Sequence, residues 1–216
     1  MTICIGLTGG LASGKTTAAA MFAKLGAGLT DADDISRTLT APGGEALPLL
    51  RQTLGVWAFD ENGELLRTEV RTRIFADDEL RQQLENILHP LIAREIKKQI
   101  AHGGNYPYLL LSIPLLLETG LFVADCRRIA VVDCATETQI ARATKRDGMT
   151  AAQAQAIIAA QMPRMQRQQR ADDIIDNDGD CNALQQAVSK CHSDYVGLAE
   201  QLKQSRQTAI VKNSLN

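Results

Sequence analysis

Aromatic side chains are scarce in this sequence. Phe, Tyr and Trp make up 4% of its 216 residues, so nucleic-acid bases would find few rings on which to stack. The formal net charge of −2 at pH 7 gives no overall attraction to nucleic acid or to an anionic membrane. We therefore expect no nucleic-acid partner, and any anion that the protein binds must be held by a local arrangement of groups.

Paired cysteines and long apolar runs are lacking as well. The five cysteines are an odd number without a Cys-x-x-Cys motif, which argues against a disulfide framework or a zinc site. No apolar run approaches the ~20 residues of a transmembrane helix, and the first residues lack the pattern of a secretory signal. We expect a reduced, cytoplasmic protein that does not bind membranes.

Short apolar runs alternate with helical patterns along the chain. Continuous apolar strands separated by helices are typical of a parallel sheet that is covered on both faces. The fold class is therefore α/β, a three-layer sandwich with a five-stranded parallel sheet. The predicted strands are residues 3–7, 27–30, 108–112, 129–134 and 174–175.

Two helical insertions extend this pattern. In the first, at 34–103, apolar residues recur at helical spacing as far as Leu88, and we predict that Pro90 begins a new helix. The second is the helical segment 137–170. We predict one domain over 1–205, whose core consists of 1–33, 104–136 and 171–205, followed by a polar tail at 206–216.

The segment from Gly9 to Thr16 fits the pattern G-x-x-x-x-G-K-[ST], after a predicted strand and before a predicted helix. Successive backbone N–H groups and the positive end of the helix make such a loop an anion site. Lys15 would reach the β- and γ-phosphates, and the Thr16 hydroxyl would ligate Mg²⁺. A purely structural glycine-rich turn is the weaker alternative. The predicted ATP site comprises Gly10, Leu11, Ala12, Ser13, Gly14, Lys15, Thr16 and Thr17.

Carboxylates follow the second predicted strand. Phosphoryl transfer to a hydroxyl needs a group that accepts the proton and orients the acceptor oxygen. A carboxylate at the end of the strand beside the phosphate loop could do this, and Asp31 and Asp33 would share a face if the strand continued. A helix N-cap with acidic first-turn residues explains the same sequence, and both interpretations stay open.

The second insertion concentrates positive charge. Between Gln139 and Arg170 there are six basic residues and one acidic residue. Guanidinium groups that close over phosphates stabilise transition-state charge and exclude water, so this segment is a candidate lid. A solvated helix face is the alternative for about half of the basic residues, and we predict that Arg167 and Arg170 lie on the surface. Residues 144–147 match a guanine-recognition pattern, but they do not directly follow a strand, which argues against a GTPase.

Further motifs occur in a specific order, and with them the chain resembles the dephospho-CoA kinase family over about residues 3–200. They are Gly-Leu-Thr-Gly-Gly at 6–10, Ser-Gly-Lys-Thr at 13–16, Asp-Ala-Asp at 31–33, Arg67 with Ile74-Phe75, His89-Pro90, Ile-Pro-Leu-Leu-Leu-Glu at 113–118, Val-Val-Asp at 131–133, Arg142, Arg146-Asp147, Gln161, and Ala-Asp-Asp-Ile-Ile-Asp-Asn at 171–177 with Gly179.

The resemblance implies transfer of the ATP γ-phosphoryl group to the 3′-hydroxyl of dephospho-CoA, the last step of coenzyme A synthesis. We also expect a monomer or weak homo-oligomer. The resemblance implies that Asp33 is the general base, that Lys15 and Arg142 are catalytic, and that segment 34–103 binds the acceptor. Arg142 and Arg146 would act from the lid, and Asn177 and Gly179 would lie near adenine. The implied acceptor-binding residues are Thr8, Asp31, Asp33, His89, Pro114, Leu115 and Glu118.

Ala12 departs from the family pattern, which has glycine there, and a left-handed backbone at this alanine would cost roughly 1 kcal/mol. Two other functions stay open: a kinase of the same fold with another metabolite or nucleotide as acceptor, and a nucleotide-dependent switch without catalytic activity. A switch needs no base beside an acceptor, so Asp33 and the basic segment count against it.

Overall fold

A computed structural model describes residues 2–213, without the side chains of residues 75, 76, 147, 206 and 208–213. Five strands form a parallel sheet in the order β2-β3-β1-β4-β5, which confirms the predicted α/β fold class. The strands are β1 (Ile3–Gly9), β2 (Gly28–Asp31), β3 (Tyr108–Ser112), β4 (Cys126–Asp133) and β5 (Asp173–Asp176).

The strand order corrects one prediction. β2 is not beside the strand that leads into the phosphate loop, because β3 lies between β2 and β1. β3 pairs with β1 in parallel from Ile3–Tyr108 to Leu7–Ser112. Consecutive strands are neighbours in only about two-thirds of cases, and the apolar pattern carries no information about order.

Helices fill most of the remaining chain. Among those described, none combines the length and the apolar character needed to cross a membrane. The α-helices are α1 (Lys15–Lys24), α2 (Ala32–Leu39), α3 (Leu47–Leu54), α4 (Arg67–Ala76), α5 (Asp78–His102), α6 (Leu116–Thr119), α7 (Thr136–Asp147), α8 (Ala151–Ala160), α9 (Arg164–Gln169) and α10 (Cys181–Asn213).

One helix prediction was wrong. Pro90 lies inside α5 and does not begin a new helix. Its ring removes one backbone hydrogen bond, but the bonds of the long helix on both sides of it maintain the helical path. The segment 206–216, predicted as a polar tail, belongs to α10 as far as Asn213, and residues 214–216 lie outside the described residues.

The chain divides into two compact units, Met1–Thr30 with Ile100–Asn216, and Asp31–Gln99. The second unit corresponds closely to the predicted helical insertion 34–103. Within it the Arg67 guanidinium donates to the carbonyl oxygens of Arg37 and Thr40, at 3.2 and 3.1 Å. These bonds satisfy carbonyl groups at the C-terminal end of α2, which would otherwise lack partners.

The core of the first unit lies between the sheet and helices α1 and α10. Fully buried side chains from alternate strand positions, such as Ile5 and Leu110, pack there with Phe22 and Tyr195. On the opposite face Gly6 leaves room for α6, because a Cβ at Gly6 would lie 2.6 Å from the Leu116 side chain. Helices therefore cover both faces of the sheet, and the loops at the carboxyl ends of its strands are free to form a site.

Candidate functional site

The phosphate loop connects β1 directly to α1. Its backbone turns through left-handed conformations at Ala12 (φ 52°) and Gly14 (φ 97°), and Ser13 N–H donates to the Gly10 carbonyl oxygen at 3.1 Å. A Cβ at Gly14 would collide with the Asn177 side chain. The loop thus needs glycine at position 14, whereas position 12 holds an alanine in a strained conformation.

The N-terminus of α1 is suited to bind an anion. Within the described part of the chain no side chain caps this end, and the first turn carries no acidic residue. The N–H groups of a first helical turn have no intrahelical partners, and the helix dipole places positive potential there. The predicted residues Lys15, Thr16 and Thr17 form this turn. The arrangement favours a phosphate group.

Lys15 is oriented by a residue that the sequence analysis missed. Its ammonium group donates to the Ser112 hydroxyl at 2.9 Å. Ser112 is fully buried at the end of β3, and the parallel register sets it beside Leu7, two residues before the loop begins. A serine at the end of an otherwise apolar strand was the available signal, but its neighbour depends on strand order.

A cleft of about 530 Å³ lies beside the loop and has the size of a small-molecule site. It brings together residues that were predicted from separate segments: Ala12, Gly14, Thr17, Arg142, Arg146, Asn177 and Gly179. It also contains residues that the sequence analysis did not select: Lys145, Asp180, Cys181 and Leu184.

Asn177 links the loop to the basic segment. Its side-chain amide donates to the Ser13 carbonyl oxygen at 2.6 Å, and its main-chain carbonyl oxygen accepts from the Arg142 guanidinium at 2.8 Å. Only 7% of Asn177 is exposed, and the hydrogen bond from its side chain to Ser13 supports the loop. The Arg142 Nη1 atom is buried and has no hydrogen-bond partner within the described residues. A buried guanidinium N–H without a partner is costly, which favours an anionic ligand at this position.

The two ends of segment 137–170 are fixed to the core. Near its start the Asp178 carboxylate accepts from Ala135 N–H and the Thr138 hydroxyl, each at 2.8 Å. Near its end the Asp133 carboxylate accepts from Arg164 at 2.8 Å and from Gln168 at 2.7 Å. Any lid movement therefore has to occur between these anchors.

These anchoring bonds also shift pKa values. The hydrogen bond from Ala135 N–H is the main reason that the pKa of Asp178 is lowered. The hydrogen bond to Asp133 is the main reason that the pKa of Arg164 is raised. Burial raises the pKa of the neighbouring Cys134 thiol, which keeps it protonated and unreactive. The lowered pKa of Asp178 and the raised pKa of Arg164 keep these two groups charged near neutral pH.

Arg167 was wrongly predicted to lie on the surface. It is only 3% exposed, and its guanidinium donates to the Met162 carbonyl oxygen at 3.1 Å. The Glu118 carboxylate lies 3.8 Å from the same guanidinium nitrogen. Arg170, three residues along, is exposed as predicted. Counting charges could not distinguish the two arginines, because the packing of α9 against β4 decides which one faces inwards.

The predicted acceptor residues of the first unit lie in β1 and in the segment that follows β3. Thr8 is 1% exposed within β1, and Pro114 directly follows β3. Leu115 has a left-handed backbone (φ 52°), a strain that is typical of functional sites. Glu118 accepts a hydrogen bond from Met162 N–H at 3.2 Å. One of its oxygens is therefore already engaged with the basic segment.

The acidic residues and His89 belong to the second unit. Asp31 is the N-cap of α2, and its carboxylate accepts from the N–H groups of Asp33 and Asp34 at 2.9 and 3.2 Å. Asp33 lies in the first turn of this helix, not in a continued strand, which corrects the shared-face argument. The N-cap interpretation is right: Asp31 caps the helix, and Asp33 is an acidic residue of its first turn. His89 is exposed on α5.

We expect Ala12→Gly to stabilise the protein by about 0.5–1 kcal/mol. A left-handed alanine costs ~1–2 kcal/mol, and the extra freedom of glycine in the unfolded chain offsets ~0.4–1 kcal/mol of the relief. Urea unfolding followed by circular dichroism measures the difference. The matched control is Ala20→Gly on the exposed face of α1, which should lose about 1 kcal/mol. An unchanged or lower stability of the Ala12 variant would contradict the strain.

The fold and this site define a class. A phosphate loop after the first strand of a parallel sheet, an uncapped helix N-terminus and an arginine-lined cleft are the parts of a P-loop kinase for small molecules.

Comparison with known proteins identifies the family. The family model described as dephospho-CoA kinase matches residues 3–183. Dephospho-CoA kinase of Thiobacillus denitrificans is 47% identical over 195 residues, which are 90% of this chain and 96% of that protein. Dephospho-CoA kinase of Nitrosospira multiformis is 43% identical over 198 residues, 92% and 98% of the two chains. The chain therefore belongs to the dephospho-CoA kinase family.

Solved structures agree with the fold. The protein TT1252 of Thermus thermophilus superposes with a TM-score of 0.74 at 27% identity, covering 89% of this chain and 97% of that one. Dephospho-CoA kinase of Campylobacter jejuni gives a TM-score of 0.67 at 22% identity, covering 91% and 98%. At 22% identity, the likeness to the Campylobacter jejuni protein shows a shared fold alone.

Proposed function

We propose that this protein transfers the γ-phosphoryl group of ATP to the 3′-hydroxyl of dephospho-CoA, which yields coenzyme A and ADP. One observation carries the proposal: the family match spans residues 3–183 and includes both the phosphate loop and the acidic segment at 31–33. Both substrates are small molecules, so the activity requires no membrane or nucleic acid. We further propose that the protein acts in the cytoplasm as a monomer or weak homo-oligomer.

ATP binding is assigned to the first unit. The triphosphate lies against the loop from Gly10 to Thr17, where the uncapped N-terminus of α1 supplies N–H donors. Lys15, oriented by Ser112, holds the β- and γ-phosphates. Arg142 and Arg146 approach from the cleft wall and stabilise charge on the transferred group. The adenine occupies the end of the cleft that Gly179 lines.

The residues present fit a magnesium ion as well. The Thr16 hydroxyl is exposed at the N-terminus of α1, and hydroxyl and phosphate oxygens are hard ligands of the kind that Mg²⁺ prefers. Thr16 would hold the ion. Mg²⁺ held there would neutralise part of the phosphate charge during phosphoryl transfer.

Proton transfer is assigned to Asp33. Its carboxylate accepts the proton of the 3′-hydroxyl while that oxygen forms a bond to the γ-phosphorus, and the bond from the γ-phosphorus to the β–γ bridging oxygen breaks to release ADP. Asp31 positions Asp33 by capping α2. The other proposed acceptor contacts are Thr8, His89, Pro114, Leu115 and Glu118.

The test is ADP release from ATP-Mg with and without dephospho-CoA. A large acceptor-dependent rate, with a 3′-phosphorylated product identified by mass, is the expected result. ATP binding without stimulation by dephospho-CoA would favour another hydroxyl metabolite as acceptor, and a screen of such metabolites would follow. ATP binding with no acceptor phosphorylated at all would favour the non-enzymatic switch.

Arg142→Ala should lower turnover with dephospho-CoA by roughly 100-fold, the scale for loss of one charge-stabilising donor. ATP hydrolysis without acceptor should increase, because the gap left at the cleft wall admits water. Both rates are measured by coupled ADP release. Arg127→Ala, on the exposed start of β4, is the matched control and should leave both unchanged. Wild-type values for the Arg142 variant would count against its role.

A further inference from the structure

The Leu11 peptide is held from two sides by glutamines of the basic segment. Leu11 N–H donates to the Gln161 side-chain oxygen at 3.0 Å, and the Gln139 amide donates to the Leu11 carbonyl oxygen at 2.7 Å. Both main-chain groups of Leu11 are thus satisfied by protein. Leu11 remains a predicted ATP-binding residue, but its own peptide groups are already engaged.

Arg167 packs against the neighbouring residue of the phosphate loop, Gly10. A Cβ at Gly10 would overlap the Gln139 amide nitrogen and would lie 2.8 Å from an Arg167 guanidinium nitrogen. Gln139 and Arg167 are both 3% exposed. Two buried polar side chains therefore pack directly on the first turn of the phosphate loop, and neither of them lines the cleft.

Glu118 connects this packing to the loop after β3. Its Oε1 accepts from Met162 N–H at 3.2 Å and lies 3.8 Å from Arg167, while Arg167 donates to the Met162 carbonyl oxygen. Glu118 Oε2 and Arg167 Nε are buried without hydrogen-bond partners among residues 2–213. The carboxylate is thus turned towards the residue that follows Gln161, so it fixes the segment that carries Gln161.

These contacts surround the strained residue of the loop. Ala12 directly follows Leu11 and has a left-handed backbone, which persists in a non-glycine residue only where the surroundings enforce it. The fixed Leu11 peptide on one side and the bond from Asn177 to the Ser13 carbonyl on the other provide that enforcement. Without them Ala12 would relax to a right-handed or extended conformation and change the direction of the N–H groups that follow.

We propose that Gln139, Gln161 and Arg167, here called the loop brace, are positioning residues that hold the turn at Ala12 in its ATP-binding conformation, and that Glu118 positions the brace through Met162 and Arg167. The inference rests on the proposed function only in taking the loop as the ATP site. Gln161 is the C-cap of α8, so the brace couples the shape of the loop to the helices of the basic segment.

Gln161→Ala is the principal test, with ATP affinity measured by calorimetry in the presence of Mg²⁺. Loss of the acceptor for Leu11 N–H should weaken ATP binding about tenfold, since a half-buried donor loses its partner. The KM for ATP should rise in parallel, while the KM for dephospho-CoA stays within about twofold of the wild-type value. Gln155→Ala, exposed on the same helix α8, is the matched control and should bind ATP normally.

A second set of variants, made in protein that carries Ala12→Gly, tests whether the brace acts by enforcing the left-handed turn at position 12. In protein that carries Ala12→Gly, the left-handed turn no longer needs enforcement, so Gln161→Ala should weaken ATP binding only two- to threefold. Gln139→Ala should behave in the same way in both backgrounds, and melting temperatures establish that each variant is folded. ATP affinity within twofold of wild type for Gln161→Ala, or an equal loss with glycine at position 12, would overturn the proposal.

Glu118→Gln separates positioning from acceptor binding. If Glu118 supports the brace, the KM for ATP rises, whatever the change in the KM for dephospho-CoA that its proposed acceptor contact causes. A KM for ATP within twofold of the wild-type value would overturn its place in the proposal. The ATP calorimetry does not depend on turnover. A protein that fails to phosphorylate dephospho-CoA but shows the expected ATP losses would contradict the proposed acceptor and support the brace.

Discussion

Lys15→Ala is expected to lower turnover about 1000-fold or more, the upper range for loss of one preorganised group that stabilises transition-state charge. Lys15 is the cation of the phosphate loop, and its ammonium group is already oriented by Ser112 at 2.9 Å before ATP arrives. Alanine removes this cation and so leaves part of the charge of the transferred phosphoryl group uncompensated. The measurement is kcat for ADP release at saturating dephospho-CoA.

Lys24→Ala is the matched control for this variant. Lys24 is exposed in the last turn of the same helix, so the substitution removes an equal charge from α1 without touching the site. It should keep kcat within about twofold of wild type, since a cation at a helix C-terminus contributes only ~0.3–1 kcal/mol of stability. If Lys15→Ala retained more than a tenth of wild-type turnover, the loop would not be the site of phosphoryl transfer.

Asp33→Asn is expected to lower turnover at least ~100-fold while ATP affinity stays near the wild-type value. Asparagine keeps the size of the side chain but cannot accept the proton of the acceptor hydroxyl, and general-base loss typically costs 10²–10⁴-fold. The helix should be unaffected because Asp31, not Asp33, is the N-cap of α2. Pre-steady-state measurement of product formation, together with ATP calorimetry, separates chemistry from binding.

Asp34→Asn is the control for Asp33. Asp34 is the next residue in the first turn of α2 and forms an exposed ion pair with Arg37, a type of contact that contributes little to stability. It should leave turnover within a few-fold of wild type. Equal turnover of the Asp33 and Asp34 variants would rule out Asp33 as the base and direct attention to Asp31.

Features that depend on neighbouring residues in the sequence were predicted well. The phosphate loop is an anion site made by consecutive backbone N–H groups and the helix that follows, so its chemistry can be identified from Gly9 to Thr16 alone. β3 was predicted at Tyr108–Ser112 from one apolar run, and the structure has a strand there with all five residues buried. The strain at Ala12 followed from the family resemblance and is present in the structure.

Other parts of the site could not be predicted in this way. Charge counting left Arg142 and Arg167 equivalent, yet the first lines the cleft and the second is buried against Glu118. Pro90 has the sequence signal of a helix start, and only the continuity of α5 on both sides shows otherwise. In each case the outcome depends on which groups pack together, and that information is spread over distant segments.

The sequence by itself determined the α/β class, the phosphate loop with Lys15, and the family, because each is written in local patterns or in an ordered set of motifs. Only the tertiary structure decided that Ser112 meets Lys15 and that Gln139 and Gln161, 128 and 150 positions from Leu11, hold its peptide. Such contacts depend on strand order and on the packing of whole helices. Each requires a donor and an acceptor from distant segments to meet within about 3 Å, and a local sequence pattern cannot specify where a distant segment will lie.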